Sequence, residues 1–340
     1  MKVCQVLASR GEGGLEKHVR ELSWQLAEAG HDVLVLGDPD YLATLPPQVG
    51  RMPIRCDRSR RNPLLLLELL FKLRRCQCDI IHAQANKAAA LVGSLRRWLA
   101  APIVGTLHGI KRNNRSFARL DHVITVSRQL AKSFQKARCS VVYNGIATPE
   151  GGKIDLRAEF GLPASQPVLC AAGHLVQAKG FDILLEAVDG LPLSLLIAGE
   201  GPERSRLAQR IERLLPETQC RLLGHRSDVP TLMASADAVV ISSRREGFSY
   251  VFSEALLLGA RILATDVPVA NEVLPAELIV PVEDAQALRN RLQSLLENLD
   301  GWTALMQGPL ANFREDMTYK AMVEKTVSVY EKVLTRHAMR

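Results

Sequence analysis

The chain has 340 residues, of which 47% are hydrophobic and 23% are charged, and its formal net charge is +7. This length predicts two domains of ordinary size, and the composition excludes disordered, collagen-like and coiled-coil proteins. The longest apolar run, Pro63–Leu67, is far shorter than the roughly 18 residues that a membrane span needs. Because the first residues lack the apolar core of a signal peptide, we expect a cytoplasmic protein.

Short apolar runs alternate with segments of helical periodicity, a pattern typical of βαβ units and parallel sheets. A helix is predicted directly after Gly13-Gly14, because apolar residues recur every three or four positions from Leu15 and stop before Gly30. The strands predicted in the first half are 2–8, 32–36, 79–82, 102–106, 121–126 and 140–143.

The second half repeats this pattern after a turn-rich connection between Ala147 and Gln166, which predicts a domain boundary. Its predicted strands are 167–172, 193–198, 219–223, 237–242, 261–264 and 278–280, and its predicted helices are 180–188, 203–215, 228–235, 249–258 and 284–298. A last apolar stripe from Val323 to Leu334 predicts a terminal helix. We therefore expect domains at 1–148 and 149–315, followed by a helix within 316–340.

Ligands of open parallel sheets bind outside the carboxyl ends of the strands, so the loops after the strands are the expected places for chemistry. Gly11-Glu12-Gly13-Gly14 follows a strand and opens a helix, where backbone N–H groups can receive a phosphate or sugar hydroxyls. A turn without ligand is the alternative. The third glycine of a dinucleotide fingerprint is missing, since position 16 is Glu16, and NAD is not predicted.

Neither the acidic pairs nor the thiols of the sequence predict a metal site. Asp38-Pro39-Asp40 resembles a cation-binding pair, but it has no third ligand nearby and is interpreted as a solvated turn. The seven cysteines are odd in number and scattered, and none form a CxxC pair. They are interpreted as reduced intracellular thiols.

Two carboxylates flank the start of the helix predicted after strand 237–242. Glu246 and Glu254 stand eight residues apart, so they can reach different parts of one long, hydroxyl-rich ligand. The N–H groups of Phe248, Ser249 and Tyr250 lie at the helix start, where they can face an anionic centre.

A lysine follows an earlier predicted strand, in the segment Gly173-His174-Leu175-Val176-Gln177-Ala178-Lys179-Gly180. Lys179 can meet a diphosphate there as a point charge. Each of these loops is common in α/β proteins, but their order and spacing together predict one ligand site.

At these residues the sequence resembles the retaining GT-B glycosyltransferases of family 4, and the resemblance covers nearly the whole chain. Its most specific part is the pair of glutamates separated by seven residues. The other matching segments are the glycine loop, Thr106-Leu107-His108-Gly109, Val126-Ser127, Tyr143-Asn144-Gly145-Ile146, the segment ending in Lys179-Gly180, Gly199-Glu200-Gly201-Pro202 and Leu223-Gly224-His225-Arg226-Ser227-Asp228-Val229-Pro230. The resemblance implies two doubly wound parallel-sheet domains facing a cleft. The first would bind the acceptor and the second the nucleotide sugar, and the last helix would cross back to the first.

The resemblance also implies the roles of individual residues in the second domain. Glu254 would bind the ribose hydroxyls, and Glu246 with the backbone of Gly247, Phe248 and Ser249 would hold the donor sugar. Lys179 would pair with the diphosphate and stabilise it as the leaving group.

Further roles follow from the same resemblance. Gly13 and Gly14 would let the backbone approach the diphosphate, and His108 would lie at the reacting sugar. Gly224 and His225 would line the nucleotide base. The family usually explains retention by attack from the face of the departing group, without an enzyme nucleophile, and it needs no metal or other cofactor.

One position departs from the family pattern. The family usually has an arginine where this chain has His174, and a histidine carries its full positive charge only in acid. His174 would then be the donor-binding partner of the diphosphate, or Arg226, Arg244 or Arg245 would substitute for it. An uninvolved loop residue is the alternative interpretation of His174.

Basic residues are concentrated in the first half, which holds 23 Lys and Arg against 12 Asp and Glu among residues 1–150. This surplus favours an anionic partner. Arg60 and Arg61 precede an apolar helix that ends in further cations, which is either a surface for anionic membranes or a helix buried on the sheet. The loop after His108 carries further cations that the resemblance places at the acceptor, namely Lys111, Arg112, Arg115 and Arg119.

Together these features predict a glycosyltransferase that uses a nucleotide-diphosphate sugar, with a UDP-sugar favoured. A glycan or lipid-linked acceptor in lipopolysaccharide or other surface-polysaccharide synthesis fits the charge, and so does a place at the inner face of the cytoplasmic membrane. Few aromatic residues and no recognition motif argue against nucleic acid. A nucleotide-sugar epimerase of the same fold and a non-catalytic partner protein remain the alternatives.

Overall fold

The computed structural model describes residues 1–11, 13–56, 58–109, 114–150 and 152–339. It divides into two compact units. The first comprises Met1–Gly145 and Asp316–Arg340, and the second comprises Ile146–Glu315. Within the described ranges, no helix is both long enough and apolar enough to cross a bilayer.

The first unit contains a sheet of seven parallel strands in the order β3-β2-β1-β4-β5-β6-β7. Strand order reverses between β1 and β4, so the loops after these two strands diverge to opposite faces and leave a crevice between them. The strands are β1 (Lys2–Leu7), β2 (Asp32–Gly37), β3 (Gly50–Pro53), β4 (Ile80–Gln84), β5 (Ile103–Leu107), β6 (His122–Thr125) and β7 (Cys139–Val141).

Helices cover this sheet and bury their apolar stripes against it. The helices are α1 (Gly14–Glu28), α2 (Pro39–Ala43), α3 (Pro63–Cys76), α4 (Ala85–Ser94) and α5 (Arg128–Ala131). The terminal helix, Tyr319–Ala338, belongs to the same unit, and its Tyr330 is fully buried in the core that also contains Val19 and Leu22 of α1. The end of the chain is therefore part of the first unit's core.

The second unit has a six-stranded parallel sheet in the order β10-β9-β8-β11-β12-β13, which reverses between β8 and β11. Its strands are β8 (Val168–Ala172), β9 (Ser194–Ala198), β10 (Gln219–Gly224), β11 (Ala238–Ile241), β12 (Ile262–Thr265) and β13 (Ile279–Val280). Its helices are α6 (Leu156–Phe160), α7 (Phe181–Val188), α8 (Arg204–Ile211), α9 (Val229–Ser235), α10 (Tyr250–Leu257), α11 (Ala270–Val273), α12 (Ala285–Leu296) and α13 (Leu299–Phe313), and the terminal helix is α14.

The predicted fold class is confirmed, because both sheets are parallel and doubly wound. Several elements were missed. Strand β3 lies at a sheet edge and contains Gly50, Arg51 and Pro53, so it lacks the apolar pattern of a central strand. Helix α13 contains Gly301, Gly308 and Pro309, which interrupt its periodicity.

Candidate active site

Lys179 and Glu246 meet at the point where the strand order of the second sheet reverses. Lys179 follows β8 and Glu246 follows β11, and the Lys179 Nζ atom lies 2.5 Å from Glu246 Oε1. The Ser243 hydroxyl donates to the same carboxylate oxygen at 2.7 Å. Only 8% of the Glu246 side chain is exposed, so the pair is held in a poorly solvated place. Ser243 was missed by the sequence analysis because a serine in a loop has no distinctive pattern.

The two loops that carry this ion pair are bonded to each other. The Ser242 hydroxyl donates to the Lys179 carbonyl oxygen at 3.0 Å, and the Arg244 N–H donates to the Ala178 carbonyl oxygen at 2.8 Å. Arg244 also forms a bidentate ion pair with Asp182, at 2.7 and 3.0 Å. The two loops that carry Lys179 and Glu246 are therefore held together across the crevice.

Glycines let the loops after β8, β9 and β10 approach one another closely. Gly199 has φ +152°, and a Cβ atom there would overlap the Gly173 carbonyl oxygen. The Gly199 N–H donates to the Gly224 carbonyl oxygen at 2.8 Å, and the Leu175 N–H donates to the Glu200 carbonyl oxygen at 2.8 Å. The predicted site residues Gly224 and His174 are thus brought together by backbone pairing.

A cavity of about 320 Å³ opens between these loops and helix α10. It has the size of a small-molecule site. Its lining includes the predicted residues His174, His225 and Glu254, together with Glu200, Arg226, Val229 and Val251 and the small residues Ala172, Gly173, Ala198 and Gly199. Lys179 lies at its edge, because its side chain packs against Gly173.

Helix α10 presents the second glutamate to this cavity. Ser249 caps the helix, and its hydroxyl accepts the Phe252 N–H at 3.3 Å. Glu254 lies one turn inside the helix and lines the cavity, while Glu246 lies outside its lining beside Lys179. The Phe248 ring packs edge-on against Tyr250, with centroids 5.5 Å apart. The two glutamates therefore lie at different places in the crevice.

The arginines proposed to replace the missing cation at His174 are differently placed. Arg226 lines the same cavity as His174 but is paired with Asp228 at 2.6 Å. Arg244 is paired with Asp182, and Arg245 is exposed. Of the three, Arg226 is the one that shares the cavity with His174.

The glycine loop of the first unit is held by a glutamate. Gly13 is the N-cap of α1, and its N–H donates to Glu16 Oε2 at 2.9 Å. The other oxygen of Glu16 accepts the Ser9 hydroxyl. Gly14 begins the helix directly after this cap. Glu16, which the sequence analysis used only to exclude a dinucleotide fingerprint, is the residue that shapes the loop.

His108 ends β5 within a network of buried polar side chains. Its Nε2 atom lies 2.7 Å from the Gln84 Oε1 atom, while the Gln84 amide group donates to Gln5 at 2.6 Å. The oxygen of Gln84 therefore accepts, and the proton of a neutral His108 is on Nε2. This leaves Nδ1 as an acceptor. His18 packs edge-on against His108, with ring centroids 4.7 Å apart.

Burial keeps these histidines uncharged. It lowers the pKa of His82 to about 3 and that of His18 to about 4, and burial together with His18 and His82 lowers the pKa of His108 well below its usual value. His82 lies between two hydroxyl groups. Its Nδ1 atom is 2.7 Å from the hydroxyl oxygen of Tyr330, and its Nε2 atom is 2.7 Å from that of Thr106. The crevice of the first unit thus offers neutral imidazoles above about pH 5.

These shifts predict a loss of stability in acid. The unfolded chain binds protons on these histidines near pH 6.5 and the native chain does not, so the free energy of unfolding falls as the pH drops below about 6.5. Each histidine contributes up to about 1.4 kcal/mol per pH unit. We expect the melting temperature to fall between pH 7 and pH 5, and to fall less steeply in His18→Gln. Equal slopes for the variant and the wild type would contradict this assignment.

A second polar cavity, of about 310 Å³, lies beside the glycine loop in the first unit. Its cations are Arg10, Lys17 and Arg20, and its acids include Asp38, whose carboxylate accepts from Arg10 at 2.6 Å. The interpretation of Asp38 as solvated is wrong. Asp38 is 3% exposed, because it caps α2 as well as pairing with Arg10.

The predicted acceptor cations do not form one group. Lys111 and Arg112 lie outside the described residues. Arg115 is exposed after β5, whereas Arg119 precedes β6 and lines a cavity with Arg96, Arg97 and Trp98. This cavity is at the amino edge of the sheet, opposite His108 at the carboxyl end of β5. The expectation that Arg119 faces the cleft with His108 is therefore wrong.

Helix α3 combines both interpretations that the sequence left open. Leu65, Leu69 and Leu73 are buried on the sheet, while Leu64, Leu67 and Phe71 are 64–66% exposed on the opposite side. Arg60 and Arg61 are exposed just before the helix. Arg74 and Arg75 are exposed in its last turn. An apolar stripe bounded by cations therefore faces outward.

Comparison with known proteins identifies the family. Residues 12–149 match the family model described as Glycosyltransferase Family 4, and residues 152–320 match the model described as Glycosyl transferases group 1. The chain belongs to glycosyltransferase family 4. This glycosyltransferase is accordingly an enzyme, as the resemblance predicts.

Similar proteins include enzymes named for lipid and polysaccharide glycosylation. The phosphatidyl-myo-inositol mannosyltransferase of Mycolicibacterium smegmatis is 26% identical over 84% of this chain and 82% of its own length. The lipopolysaccharide core biosynthesis glycosyltransferase LpsE of Rhizobium meliloti is 28% identical over 59% of this chain and 60% of its own. The crystal structure of Anabaena HepE in complex with UDP superimposes with a TM-score of 0.84 at 20% identity, covering 98% of this chain and 100% of that one. This likeness confirms the GT-B fold.

Proposed function

We propose that this glycosyltransferase moves a sugar from a nucleotide-diphosphate sugar, with a UDP-sugar favoured, to a glycan or lipid-linked acceptor, with retention of anomeric configuration. The observation that carries the proposal is the Lys179–Glu246 ion pair beside the cavity that Glu254 lines. The UDP bound to HepE and the lipopolysaccharide role named for LpsE support the donor and the acceptor class. Surface-polysaccharide synthesis is the process we favour.

In this proposal the nucleotide occupies the cavity of the second unit. Glu254 accepts hydrogen bonds from the ribose hydroxyls, and Gly224 and His225 lie against the base. The ammonium of Lys179, together with the N–H groups at the start of α10, receives the diphosphate. Glu246, held by Ser243, accepts hydrogen bonds from the sugar hydroxyls.

The chemical step breaks the bond between the anomeric carbon and the diphosphate oxygen, which takes the electron pair. The acceptor oxygen attacks the anomeric carbon from the same face, and its proton passes to the departing phosphate oxygen. Charge grows on the diphosphate, where Lys179 is already fixed in place, so the barrier falls without reorganisation of the site. In this proposal His108 keeps the role that the resemblance assigns to it at the reacting sugar. No metal ion or other cofactor takes part.

The test is a transfer assay with UDP-glucose, UDP-N-acetylglucosamine and GDP-mannose and with lipopolysaccharide core acceptors, run with and without EDTA. We expect UDP release that depends on acceptor, persists in EDTA and yields an α-linked product from an α-linked donor, read by proton NMR. Conversion of the donor alone without acceptor would indicate an epimerase. Nucleotide binding without turnover on any acceptor would indicate a non-catalytic protein.

His174→Arg is expected to keep or raise kcat/KM. His174 lines the donor cavity, where a permanent positive charge would strengthen the attraction for the diphosphate. Arginine keeps its charge at any working pH, so the gain is expected across the whole pH range. A pH profile of kcat/KM for both proteins measures this, and a collapse of activity in the variant would show that His174 has another task.

We also propose that the outward face of α3 binds anionic membrane at the inner face of the cytoplasmic membrane. Leu64, Leu67 and Phe71 would enter the headgroup region, with the flanking cations facing lipid phosphates. Trp98 supports this orientation, because its carbonyl oxygen accepts from Arg74 at 3.1 Å and the residue is 41% exposed.

Flotation with vesicles tests this placement. The protein is expected to float with phosphatidylglycerol vesicles and to remain in solution with phosphatidylcholine alone. Phe71→Glu should lower the bound fraction by about tenfold, since it replaces an apolar side chain that would enter the membrane by a negative charge that anionic lipid repels. Leu215→Glu is the matched control, because Leu215 is also an exposed large apolar residue but lies in the second unit. Equal binding to neutral and anionic vesicles would contradict the proposal.

A further inference from the structure

Three of the seven cysteines, which look scattered along the sequence, converge in the first unit. The Sγ atoms of Cys4, Cys76 and Cys78 all lie within 4.8 Å of one another. Cys4 lies in the central strand β1, Cys76 is the last residue of α3, and Cys78 lies just before β4. Three separate elements therefore direct a sulfur atom to one point at the amino edge of the sheet.

The turn between two of these cysteines has an unusual conformation. Gln77 follows α3 with φ 46° and ψ 48°, the left-handed region that glycine and asparagine usually occupy. This turn reverses the chain between Cys76 and Cys78, so that both sulfurs reach Cys4. The Lys2 N–H donates to Asp79 at 2.7 Å and holds the far side of the turn. The local backbone is thus arranged around the sulfur cluster.

We propose that Cys4, Cys76 and Cys78 form a binding site for a thiophilic d¹⁰ cation, Zn²⁺ or Cu⁺. Three thiolates are the donor set that these soft or borderline ions prefer. Zn–S bonds of about 2.3 Å place the sulfurs of one site about 3.8 Å apart, so the three sulfurs, which lie within 4.8 Å of one another, would move together by up to about 1 Å on binding. Cys4 and Cys76 are buried and Cys78 is partly exposed, so water can complete a tetrahedral zinc site on the side of Cys78. Binding releases the three thiol protons to solvent.

The cation would act as a structural staple rather than in sugar transfer. The cluster lies at the amino edge of the sheet, whereas the glycine loop and His108 lie at the carboxyl ends of β1 and β5. It would tie the end of α3 to β1 and β4, and so fix the helix whose other face carries Leu67 and Phe71. Removal of the metal should therefore lower stability and leave the chemical step intact.

A cobalt titration of the reduced, metal-free protein tests the site. Co²⁺ substitutes for Zn²⁺ and gives an intense near-ultraviolet charge-transfer band whose strength scales with the number of thiolates. We expect one equivalent to bind with the intensity of three thiolates and to be displaced by Zn²⁺. Competition with a Cu⁺-selective chelator in a parallel titration distinguishes the two ions. If both titrations show no binding, the cluster is ordinary core packing and the proposal is overturned.

Cysteine variants assign the band to these residues. Cys78→Ser, the least buried member, should lower the band intensity and weaken binding by at least tenfold. Cys139→Ser is the matched control, since Cys139 is also a partly exposed thiol of the first unit but lies in β7. The melting temperature should rise with free Zn²⁺ in the wild type and the control, and rise less in Cys78→Ser at the same Zn²⁺ concentration. An unchanged band in Cys78→Ser, or equal losses in both variants, would contradict the proposal.

Discussion

Lys179→Ala is expected to lower kcat/KM by a factor of about 10² to 10³, the range found when one preorganised donor is removed from a developing negative charge. The ammonium of Lys179 is held by Glu246 at 2.5 Å, and the backbone on both sides of the crevice is bonded together. Its loss removes the charge that the leaving diphosphate needs. The effect should fall mainly on kcat, because the charge grows in the transition state.

Three further variants distinguish the loss of the Lys179 charge from a general loss of folding. Lys325→Ala is the matched control, because Lys325 forms an ion pair of the same length with Asp316 in the first unit. Its activity should stay within about twofold of the wild type, as expected for an exposed ion pair. Glu246→Gln should also lose activity, and the double variant should lose less than the product of the single losses, because the two residues act together. Near-normal turnover in Lys179→Ala would refute the role of this lysine.

Gly180→Ala is expected to lower the free energy of unfolding by about 3 kcal/mol or more, which is large for one methyl group. Gly180 has φ +65°, and its Cβ atom would overlap the carbonyl oxygen of Ser242 in the loop after β11. The left-handed conformation alone costs an alanine about 1–2 kcal/mol. The rest of the loss in the free energy of unfolding comes from separating the two loops that carry Lys179 and Glu246. Donor affinity should therefore fall as well.

Gly161→Ala isolates the contribution of the backbone conformation. Gly161 has φ +56°, close to that of Gly180, but a Cβ atom there would meet nothing within 4 Å. Urea unfolding of both variants measures the difference between their free energies of unfolding, which we attribute to the close approach of Ser242. Equal destabilisation by the two substitutions would show that the loops separate without cost.

The regular elements around the site could be predicted because their patterns are local. The apolar stripe of α1 ends before Gly30, and Gly30 has the positive φ of a helix C-terminus. The segment from Gly173 to Gly180 could be placed after a strand for the same reason. Edge strand β3 could not be predicted, because its pairing with β2 depends on the rest of the sheet and not on its own residues.

Contacts between distant residues were the part that the sequence did not predict. Asp38 has a carboxylate typical of a solvated turn, yet Arg10, 28 positions away, buries it. The thiols of Cys4 and Cys76 are 72 positions apart and meet only because the last residue of α3 lies beside β1. The Gln84 bond to His108 likewise requires β4 and β5 to be neighbours. Such pairs follow from strand order, which a single sequence specifies only indirectly.

The most direct test of the proposed donor site is a thermal-shift comparison of UDP, GDP, ADP, CMP and NAD. A ligand at 100 times its dissociation constant adds about 2.7 kcal/mol to the free energy of unfolding. We expect UDP to raise the melting temperature selectively. The shift should be lost in Glu254→Ala and retained in Glu297→Ala, an exposed glutamate away from the cavity. A shift with NAD alone, or an undiminished UDP shift in Glu254→Ala, would contradict a sugar-nucleotide site in the second unit.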